Sequence, residues 1–229
     1  MDNKYYLFCG LKQIIFTVLN KKNEILFNKE IIFNHQELNK NFEKLQNFLD
    51  HNIIEIEKKL KSYVKEINLI VDDVNFISID MSSTHNFKNT LNELNNLTTS
   101  LVDLKNNIKQ HIFNYEIIHL IINRFIIGKE SYSSVPNDIK DENVFLEIRF
   151  ICLKLDTYKK YQEIFAKYQI NIKNILNYEY VNSFKNSDQD NLFNISEKLI
   201  NGSNQNEILF INKTAKNKGF FEKFFDFFG

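Results

Sequence analysis

The spacing of apolar residues predicts strands and helices that alternate along the chain. Aromatic and β-branched residues dominate residues 5–19 and 24–33, with the polar stretch 20–23 between them. These segments predict two or three strands joined by hairpins. A helical stripe follows, in which apolar residues recur at steps of three and four over residues 38–67. Asn34, with Glu37 three residues later, resembles a capping box and predicts the start of this helix.

The long apolar stripe has two interpretations. Its spacing is close to a heptad repeat, which is typical of a coiled coil. Asn52 and Lys59 interrupt its flanks, and predicted strands lie on both sides of it. These features favour a helix packed against a sheet. A coiled-coil structural protein built on residues 36–65 remains an alternative.

The rest of the pattern continues the alternation. It predicts, in order, a strand at 69–81, a helix at 86–110, a strand at 115–127, a polar loop at 128–143, a strand at 144–155, a third helix capped by Asp156 and a closing strand at 170–181. Residues 182–218 are polar and predict a linker, with a weak helix at 192–200 and a short strand at 207–211. The fold class predicted is mixed α/β (α+β).

Composition narrows the function classes. The 29 basic and 29 acidic residues cancel, so no global field favours nucleic acid, and no nucleic-acid partner is expected. Cys9 and Cys152 lie within apolar runs, which predicts buried thiols in a reducing compartment. The N-terminus lacks a basic region and a small-residue cleavage site, and no apolar run reaches the roughly 18–20 residues that span a bilayer. A protein retained in the cytoplasm is therefore expected.

The chain carries no recognisable catalytic motif. Its five histidines share no metal-site spacing with one another or with a cysteine, and its five glycines are scattered. The sequence contains no dinucleotide-binding, Walker-type or nucleophile-elbow motif. The adjacent Asp72 and Asp73 are typical of a solvated turn. We therefore expect no enzyme activity, no metal and no cofactor.

The C-terminal residues 219–229 form the most distinctive pattern of the sequence. On a helical wheel at ~100° per residue, six phenylalanines occupy one arc and the charged residues occupy the other. The predicted membrane-binding residues are Phe220, Phe221, Phe224, Phe225, Phe227 and Phe228, with Lys216 and Lys218 just upstream. This pattern predicts an amphipathic helix that lies in the membrane interface and is too short to cross it. Packing on the protein's own core and binding in a partner groove are the alternatives.

Such a helix is expected to be a weak anchor. Burying six phenylalanine side chains is favourable, but ordering about ten residues opposes most of that gain. Reversible attachment becomes firm when several anchors are linked. Self-association is therefore expected.

With that tail, the order of elements resembles FtsA, the bacterial actin-like protein that tethers the division ring to the cytoplasmic membrane. Residues 5–19 (YYLFCGLKQIIFTVL) lie where that family has its first nucleotide-side hairpin. The inserted strand–helix–strand–strand domain of the family is matched by residues 74–82 (VNFISIDMS), 118–128 (IHLIINRFIIG) and 144–155 (VFLEIRFICLKL). Residues 156–176 occupy the place of its return segment, and residues 219–229 resemble its membrane-targeting sequence.

The resemblance implies an organisation and a function. The organisation is a partial actin-like subdomain at 1–68, an inserted α+β domain at 69–181, a polar and flexible linker at 182–218, and a C-terminal amphipathic helix at 219–229. The function implied is a non-enzymatic scaffold, peripheral on the inner face of the membrane, with FtsZ or other divisome proteins as partners. A PilM-like adapter for a pilus or secretion complex is the alternative.

The sequence also departs from that family. FtsA-like proteins hold ATP with an acidic and hydroxyl-bearing turn in the first hairpin, whereas this turn contains Lys12 and Gln13. The second actin-like half, which closes the nucleotide cleft and carries the main FtsZ contact, has no room in 229 residues. A reduced form that does not bind ATP is therefore expected.

Overall fold

The computed structural model describes residues 3–33, 41–86, 93–134, 143–187 and 190–208. The strands are β1 Lys4–Cys9, β2 Gln13–Leu19, β3 Ile25–Ile32, β4 Glu66–Val71, β5 Phe76–Asn86, β6 Tyr115–Ile127, β7 Glu130–Tyr132, β8 Asn143–Lys154 and β9 Asn171–Asn177. The helices are α1 Asn41–Leu60, α2 Glu93–His111, α3 Leu155–Lys167, α4 Tyr178–Asn182 and α5 Leu192–Ile200. The predicted mixed α+β class is confirmed.

The chain divides into two compact units, and the division differs from the predicted one. The first unit contains residues 1–76 and 153–201, and the second contains residues 77–152 and 202–229. The inserted unit therefore begins at Ile77 and ends at Cys152, instead of spanning 69–181. Residues 182–201, predicted as part of a linker, belong to the first unit because α5 buries Phe193, Ile195 and Leu199 there.

The first unit is built on a mixed sheet with the strand order β3-β2-β1-β4-β9 within the described ranges. Strand β1 pairs antiparallel with β2 and parallel with β4, while β3 and β9 lie at the two edges. The central strands read as nearly continuous apolar runs because helices cover both faces. Tyr6, for example, contacts Phe193 of α5, whereas Leu7 on the opposite face lies in the main core.

Helix α1 packs its apolar stripe on that sheet. Leu45, Leu49 and Ile56 are fully buried against β1, β2 and β4, together with Tyr161 and Phe165 of α3. The interpretation as a helix on a sheet is therefore correct within the described residues, because this stripe is filled by the protein's own strands. The helix is shorter than predicted, since Ile67, counted in the stripe, lies buried in β4. The predicted cap at Asn34 and Glu37 lies outside the described residues.

Helix α3 starts without the predicted cap. Asp156 was expected to cap it, but the N-cap residue is Lys154, and no side chain caps the helix. Asp156 lies instead within the first turn, where a carboxylate interacts favourably with the helix dipole. Strand β8 therefore runs almost directly into α3, with no turn between them.

The second unit contains a sheet with the order β5-β8-β6-β7 in its described part. Alternate residues of β8 face a core shared with Leu101 and Ile108 of α2. On the other face, Arg149 donates two hydrogen bonds to Asp80, at 2.7 and 2.9 Å. The amphipathic alternation of β8 thus separates an apolar face from a charged one.

A short return segment, residues 206–208, pairs with β6 in this second unit. The Ile208 amide donates to the Leu120 carbonyl at 2.9 Å, and Ile122 donates to the carbonyl of Asn206 at 2.9 Å. Beside this pairing, Nδ1 of His119 lies 2.6 Å from Oε1 of Glu207, and both residues are buried. A buried polar pair therefore helps to hold the segment that leads to the C-terminus.

Candidate functional site

The predicted membrane-binding residues lie outside the described residues. These residues are Phe220, Phe221, Phe224, Phe225, Phe227, Phe228, Lys216 and Lys218. The amphipathic helix at 219–229 therefore stays a prediction. Among the described helices, none combines the length and the apolarity needed to cross a membrane.

The turn that corresponds to the nucleotide-side hairpin lies at the carboxyl ends of β1 and β4. The Gly10 amide donates to the Gln13 carbonyl at 2.8 Å, and the Asp72 amide donates to the Cys9 carbonyl at 2.9 Å. A Cβ on Gly10 would lie 2.7 Å from the Phe8 ring, so a larger residue there would force the ring to shift. The turn and the acidic residues after β4 are thereby held together.

The space enclosed at this turn is small. It has a volume of about 10 Å³ and is bordered by Cys9, Asp72, Asp73 and Tyr161, among others. That volume is close to the minimum needed by one water molecule. Burial raises the pKa of the Asp72 carboxyl, a hydrogen bond from the Leu11 amide opposes this shift, and nearby carboxylates add to it. The predicted solvated turn is thus partly buried.

Metal and thiol chemistry find little support in the described part of the chain. It contains no group of three or more His, Cys, Asp or Glu residues that could hold a metal ion. Both cysteines are buried, as predicted. Burial raises the pKa of the Cys9 thiol, and raises that of Cys152 to about 12. Neither thiol is therefore a reactive nucleophile at neutral pH.

A much larger cleft lies at the opposite end of the same sheet, where β1, β4 and β9 begin. Its volume is about 840 Å³. It is lined by four lysines, two glutamates, several amides, two tyrosines and two isoleucines: Lys4, Lys21, Lys65, Lys173, Glu66, Glu197, Asn3, Asn68, Asn174, Asn201, Ser62, Tyr5, Tyr63, Ile67 and Ile200. We call this feature the lysine cleft. Its size falls within the range of ligand-binding clefts.

Glu197 of α5 organises one wall of the lysine cleft. Its carboxylate accepts hydrogen bonds from the Tyr6 hydroxyl, from Lys4 Nζ and, at 2.9 Å, from Asn201 Nδ2. Burial raises the pKa of Glu197, but the hydrogen bonds from these three groups outweigh burial and hold it below its ordinary value. Burial raises the pKa of the Tyr6 hydroxyl, and the hydrogen bond to the Glu197 carboxylate and its negative charge raise it further. Glu197 is therefore ionised at neutral pH and joins α5 to β1.

The lysine cleft carries an excess of positive charge. Glu197 is paired with Lys4, and Glu66 lies 3.5 Å from Lys173, so two of its four lysines are matched by its two glutamates. Four lysines against two glutamates give the lining a net positive charge. An acidic ligand would therefore meet a favourable field, which is weakened by salt because the cleft is open to solvent.

The cleft also contains polar and aromatic groups suited to an extended peptide. Tyr63 is 75% exposed beside the α1–β4 loop, whereas Tyr5 is buried. The Tyr5 hydroxyl has no hydrogen-bond partner among the described residues. Exposed tyrosine rings supply contact area at a low entropic cost, and backbone amides and side-chain amides supply specificity.

Sequence reasoning missed the lysine cleft. Its residues come from five separated segments, at 3–5, 21, 62–68, 173–174 and 197–201, and no local motif links them. The predicted strands offered one signal. The amino ends of parallel strands meet at one edge of a sheet, so polar residues just before such strands come together in space. That signal requires β4 and β9 to be placed beside β1, which the apolar pattern leaves open.

Comparison with known proteins finds matches in structure alone. No protein-family model and no curated protein matches this sequence. Among solved structures, the PilM-PilN type IV pilus biogenesis complex matches 79% of this chain and 49% of that chain, at a TM-score of 0.51 and 6% identity. The cytoplasmic domain of EpsL, an inner membrane component of the type II secretion system of Vibrio cholerae, also matches. The match covers 82% of this chain and 59% of that chain, at a TM-score of 0.38 and 9% identity. A Bacteroides thetaiotaomicron protein, described as having an actin-like ATPase fold and unknown function, is a third match. The match covers 80% of this chain and 55% of that chain, at a TM-score of 0.33 and 14% identity.

One of these matches, the PilM-PilN structure, bears on the fold. The TM-score above 0.5 shows that most of this chain shares its fold with part of the PilM-PilN structure. The chain spans about half to three fifths of the length of the matched structures. The mixed α+β fold is consistent with the predicted partial actin-like subdomain. The more specific resemblance to FtsA stays a prediction.

Proposed function

We propose that this chain is a non-enzymatic adapter, peripheral on the inner face of a membrane, that recruits a partner protein through the lysine cleft. The partner segment is an extended, acidic peptide. In this proposal the C-terminal phenylalanines supply reversible attachment to the membrane, and the first unit supplies partner recognition.

The observation that carries this proposal is the cleft itself. It has a volume of about 840 Å³ at the ends of three strands of a rigid sheet, and its lysines outnumber its glutamates by four to two. In contrast, the turn at the other end of the sheet encloses only about 10 Å³. The geometry thus favours binding of a peptide at the amino end over binding of a nucleotide at the carboxyl end.

The shared fold supports the kind of adapter that we propose. One structure with which this chain shares its fold is a complex of PilM with PilN in type IV pilus biogenesis. A comparable role here would place the chain beside the cytoplasmic segment of a membrane protein. This favours the PilM-like alternative of the sequence analysis over a role in cell division.

The proposal is tested by peptide binding to the full chain. Fluorescence anisotropy with a labelled peptide rich in Asp and Glu should show saturable binding that weakens as salt rises, because the field is electrostatic. A peptide of equal length in which the acidic residues are replaced by Lys should not bind. Equal binding of both peptides, or of neither, would overturn the proposal.

A matched pair of charge reversals locates the site. Lys65→Glu reverses the charge of a residue in the cleft. Lys129→Glu makes the same reversal at an exposed residue of the second unit. The first variant should weaken binding of the acidic peptide at least about tenfold, which corresponds to a loss of about 1.4 kcal/mol of binding free energy. The second should leave it unchanged. If both reversals weaken binding equally, the effect is one of net charge and the cleft is not the site.

Membrane attachment is tested separately. Full-length protein should float with liposomes that contain anionic lipid, and protein without residues 219–229 should not. Two observations address the FtsA-like alternative. Co-sedimentation of the protein with FtsZ, or a mid-cell band of a fluorescent fusion, favours a division scaffold, whereas polar or diffuse fluorescence favours the adapter.

A further inference from the structure

The outer edge of the first sheet is apolar and exposed. Strand β3 is an edge strand in the described part of the chain, and four of its residues leave large apolar side chains in solvent. Ile25 is 53% exposed, Leu26 38%, Ile31 41% and Ile32 71%. Edge strands of this kind are templates for pairing with another strand.

The hydrogen-bond pattern of β3 identifies which backbone groups face outward. The Phe33 amide donates to the Lys12 carbonyl of the β2 side at 2.7 Å. In an antiparallel ladder, residues that bond to the neighbour alternate with residues that point away from it. Because the β2–β3 register is regular from Ile32 back to Phe27, Asn28, Glu30 and Ile32 present their N–H and C=O groups to the open edge.

We propose that two copies of this chain pair antiparallel through β3, with the two-fold axis at Lys29. This register places Asn28 opposite Glu30 of the second copy, so that the outward backbone groups of both residues form hydrogen bonds. It also places Ile31 opposite Phe27, and Ile32 opposite Leu26. The two sheets join into one, and each apolar side chain at the edge meets another.

Side-chain polarity disfavours one neighbouring register and supplies a polar pair in the proposed one. The Oδ1 atom of Asn28 accepts from the Thr17 hydroxyl at 2.6 Å, so its Nδ2 group is the donor that it offers to the opposite Glu30 carboxylate. A shift by one residue on each copy in one direction would set Glu30 against Glu30, and like charges directly opposite are unfavourable. In the proposed register Lys29 faces Lys29, but each lies 3.4 Å from Glu55 of its own α1, which offsets the repulsion.

The size of the surface predicts a weak dimer. An eight-residue strand is about 27 Å long at ~3.4 Å per residue, and a sheet is about 10 Å thick, so pairing covers roughly 300 Å² per copy. The four exposed side chains together amount to about two fully exposed aliphatic residues per copy. Stable interfaces bury about 800 Å² per partner. Pairing is therefore expected to be concentration-dependent in solution and to strengthen when both copies are held on a membrane.

Cysteine crosslinking tests the register. Lys29→Cys would place two thiols across the axis in a non-hydrogen-bonded pair, with Cα atoms about 4.5 Å apart, which lies within the disulfide range. Under mild oxidation this full-length variant should give a covalent dimer. The two native cysteines are buried and should contribute little background. Asn28→Cys and Glu30→Cys, in the same strand, should crosslink much less, and efficient crosslinking of either one in place of Lys29→Cys would overturn the register.

Proline substitution tests whether the backbone edge is used. Glu30→Pro removes an outward N–H, which edge strands tolerate, and should raise the dimer dissociation constant at least about tenfold because one hydrogen bond is lost on each copy. Glu30→Ala keeps that N–H and serves as the control. Sedimentation velocity over a range of concentrations measures both, and circular dichroism checks the fold.

A second pair of variants avoids any change to the backbone. Ile32→Lys alters the edge at a side chain that is already 71% exposed, whereas Val74→Lys alters a residue that is 79% exposed in the β4–β5 turn of the same unit. The first should abolish dimerisation and the second should not. A wild-type chain that stays monomeric at millimolar concentration would overturn the dimer, while peptide binding in the lysine cleft would be unaffected.

Discussion

Glu197→Ala tests how strongly one partly buried carboxylate holds α5 on the sheet. The Tyr6 side chain is fully buried, and its hydroxyl donates to Glu197. Removing the carboxylate leaves that hydroxyl without its acceptor, which costs about 1–3 kcal/mol. The Lys4 contact is partly exposed and adds about 0–1 kcal/mol. The free energy of unfolding should therefore fall by about 2–3 kcal/mol, a decrease in melting temperature of about 5–10 °C for a chain of this length.

The pH dependence of this effect follows from the direction of the pKa shift. The folded-state pKa of Glu197 lies below its ordinary value of 4.5. A carboxyl with a lowered pKa stabilises the folded state above the unfolded-state pKa, and this stabilisation is lost as the pH falls through the folded-state pKa. Glu197→Gln keeps the size of the side chain and removes the charge. Its deficit relative to wild type should therefore be full at pH 7 and should shrink below about pH 4.5.

Urea denaturation followed by circular dichroism, at several pH values, measures the loss of unfolding free energy and its dependence on pH. Tyr6→Phe, alone and with Glu197→Gln, completes a double-mutant cycle and should give a coupling of about 1 kcal/mol. A deficit that stays constant from pH 3 to pH 7 would refute the assignment of an ionised Glu197. A coupling near zero would show that the Tyr6 hydroxyl does not depend on this carboxylate.

Three further changes probe other parts of the fold. Gly10→Ala should lower stability by about 1–3 kcal/mol in thermal melts, because its Cβ would lie 2.7 Å from the Phe8 ring, and unchanged melting would contradict this packing. Glu207→Ala removes the carboxylate that lies against the buried His119, so stability should fall by about 1–3 kcal/mol and hydrogen exchange should accelerate in residues 206–208; equal exchange rates would argue against a role of this pair in holding the segment. Leu49→Ala opens a cavity in the first core and should cost about 2–5 kcal/mol, measured by urea denaturation, whereas a cost below 1 kcal/mol would mean that α1 does not pack as described.

Much of the secondary structure was predictable because it depends on local periodicity. Strand β6 was predicted at 115–127, where the structure has it, and α5 was predicted at 192–200. The boundaries failed where a local signal was ambiguous. Ile67 continues the helical spacing of α1, but the positive φ of Lys61 ends that helix, and the chain enters β4 instead.

The predicted candidate site and the observed one differ for a related reason. The phenylalanines of residues 219–229 stand next to one another in sequence, so a helical wheel displays their pattern directly. The lysine cleft has no such local pattern, because Lys4, Lys65 and Lys173 become neighbours only when β1, β4 and β9 are parallel in one sheet. The membrane role of the phenylalanines stays a prediction that the flotation assay tests.

The sequence by itself determined the type of most elements and the burial of both cysteines, since each depends on residue type and short-range spacing. The amphipathic helix of the tail stays a prediction of the same kind. Only the tertiary structure decided which strands are neighbours, where the inserted unit begins and ends, and that α5 returns to β1 through Glu197. These features join residues that are far apart in the sequence, such as Tyr6 with Asn68 and Lys4 with Glu197. Their energies come from packing and hydrogen bonds between distant segments, which no periodicity along the chain records.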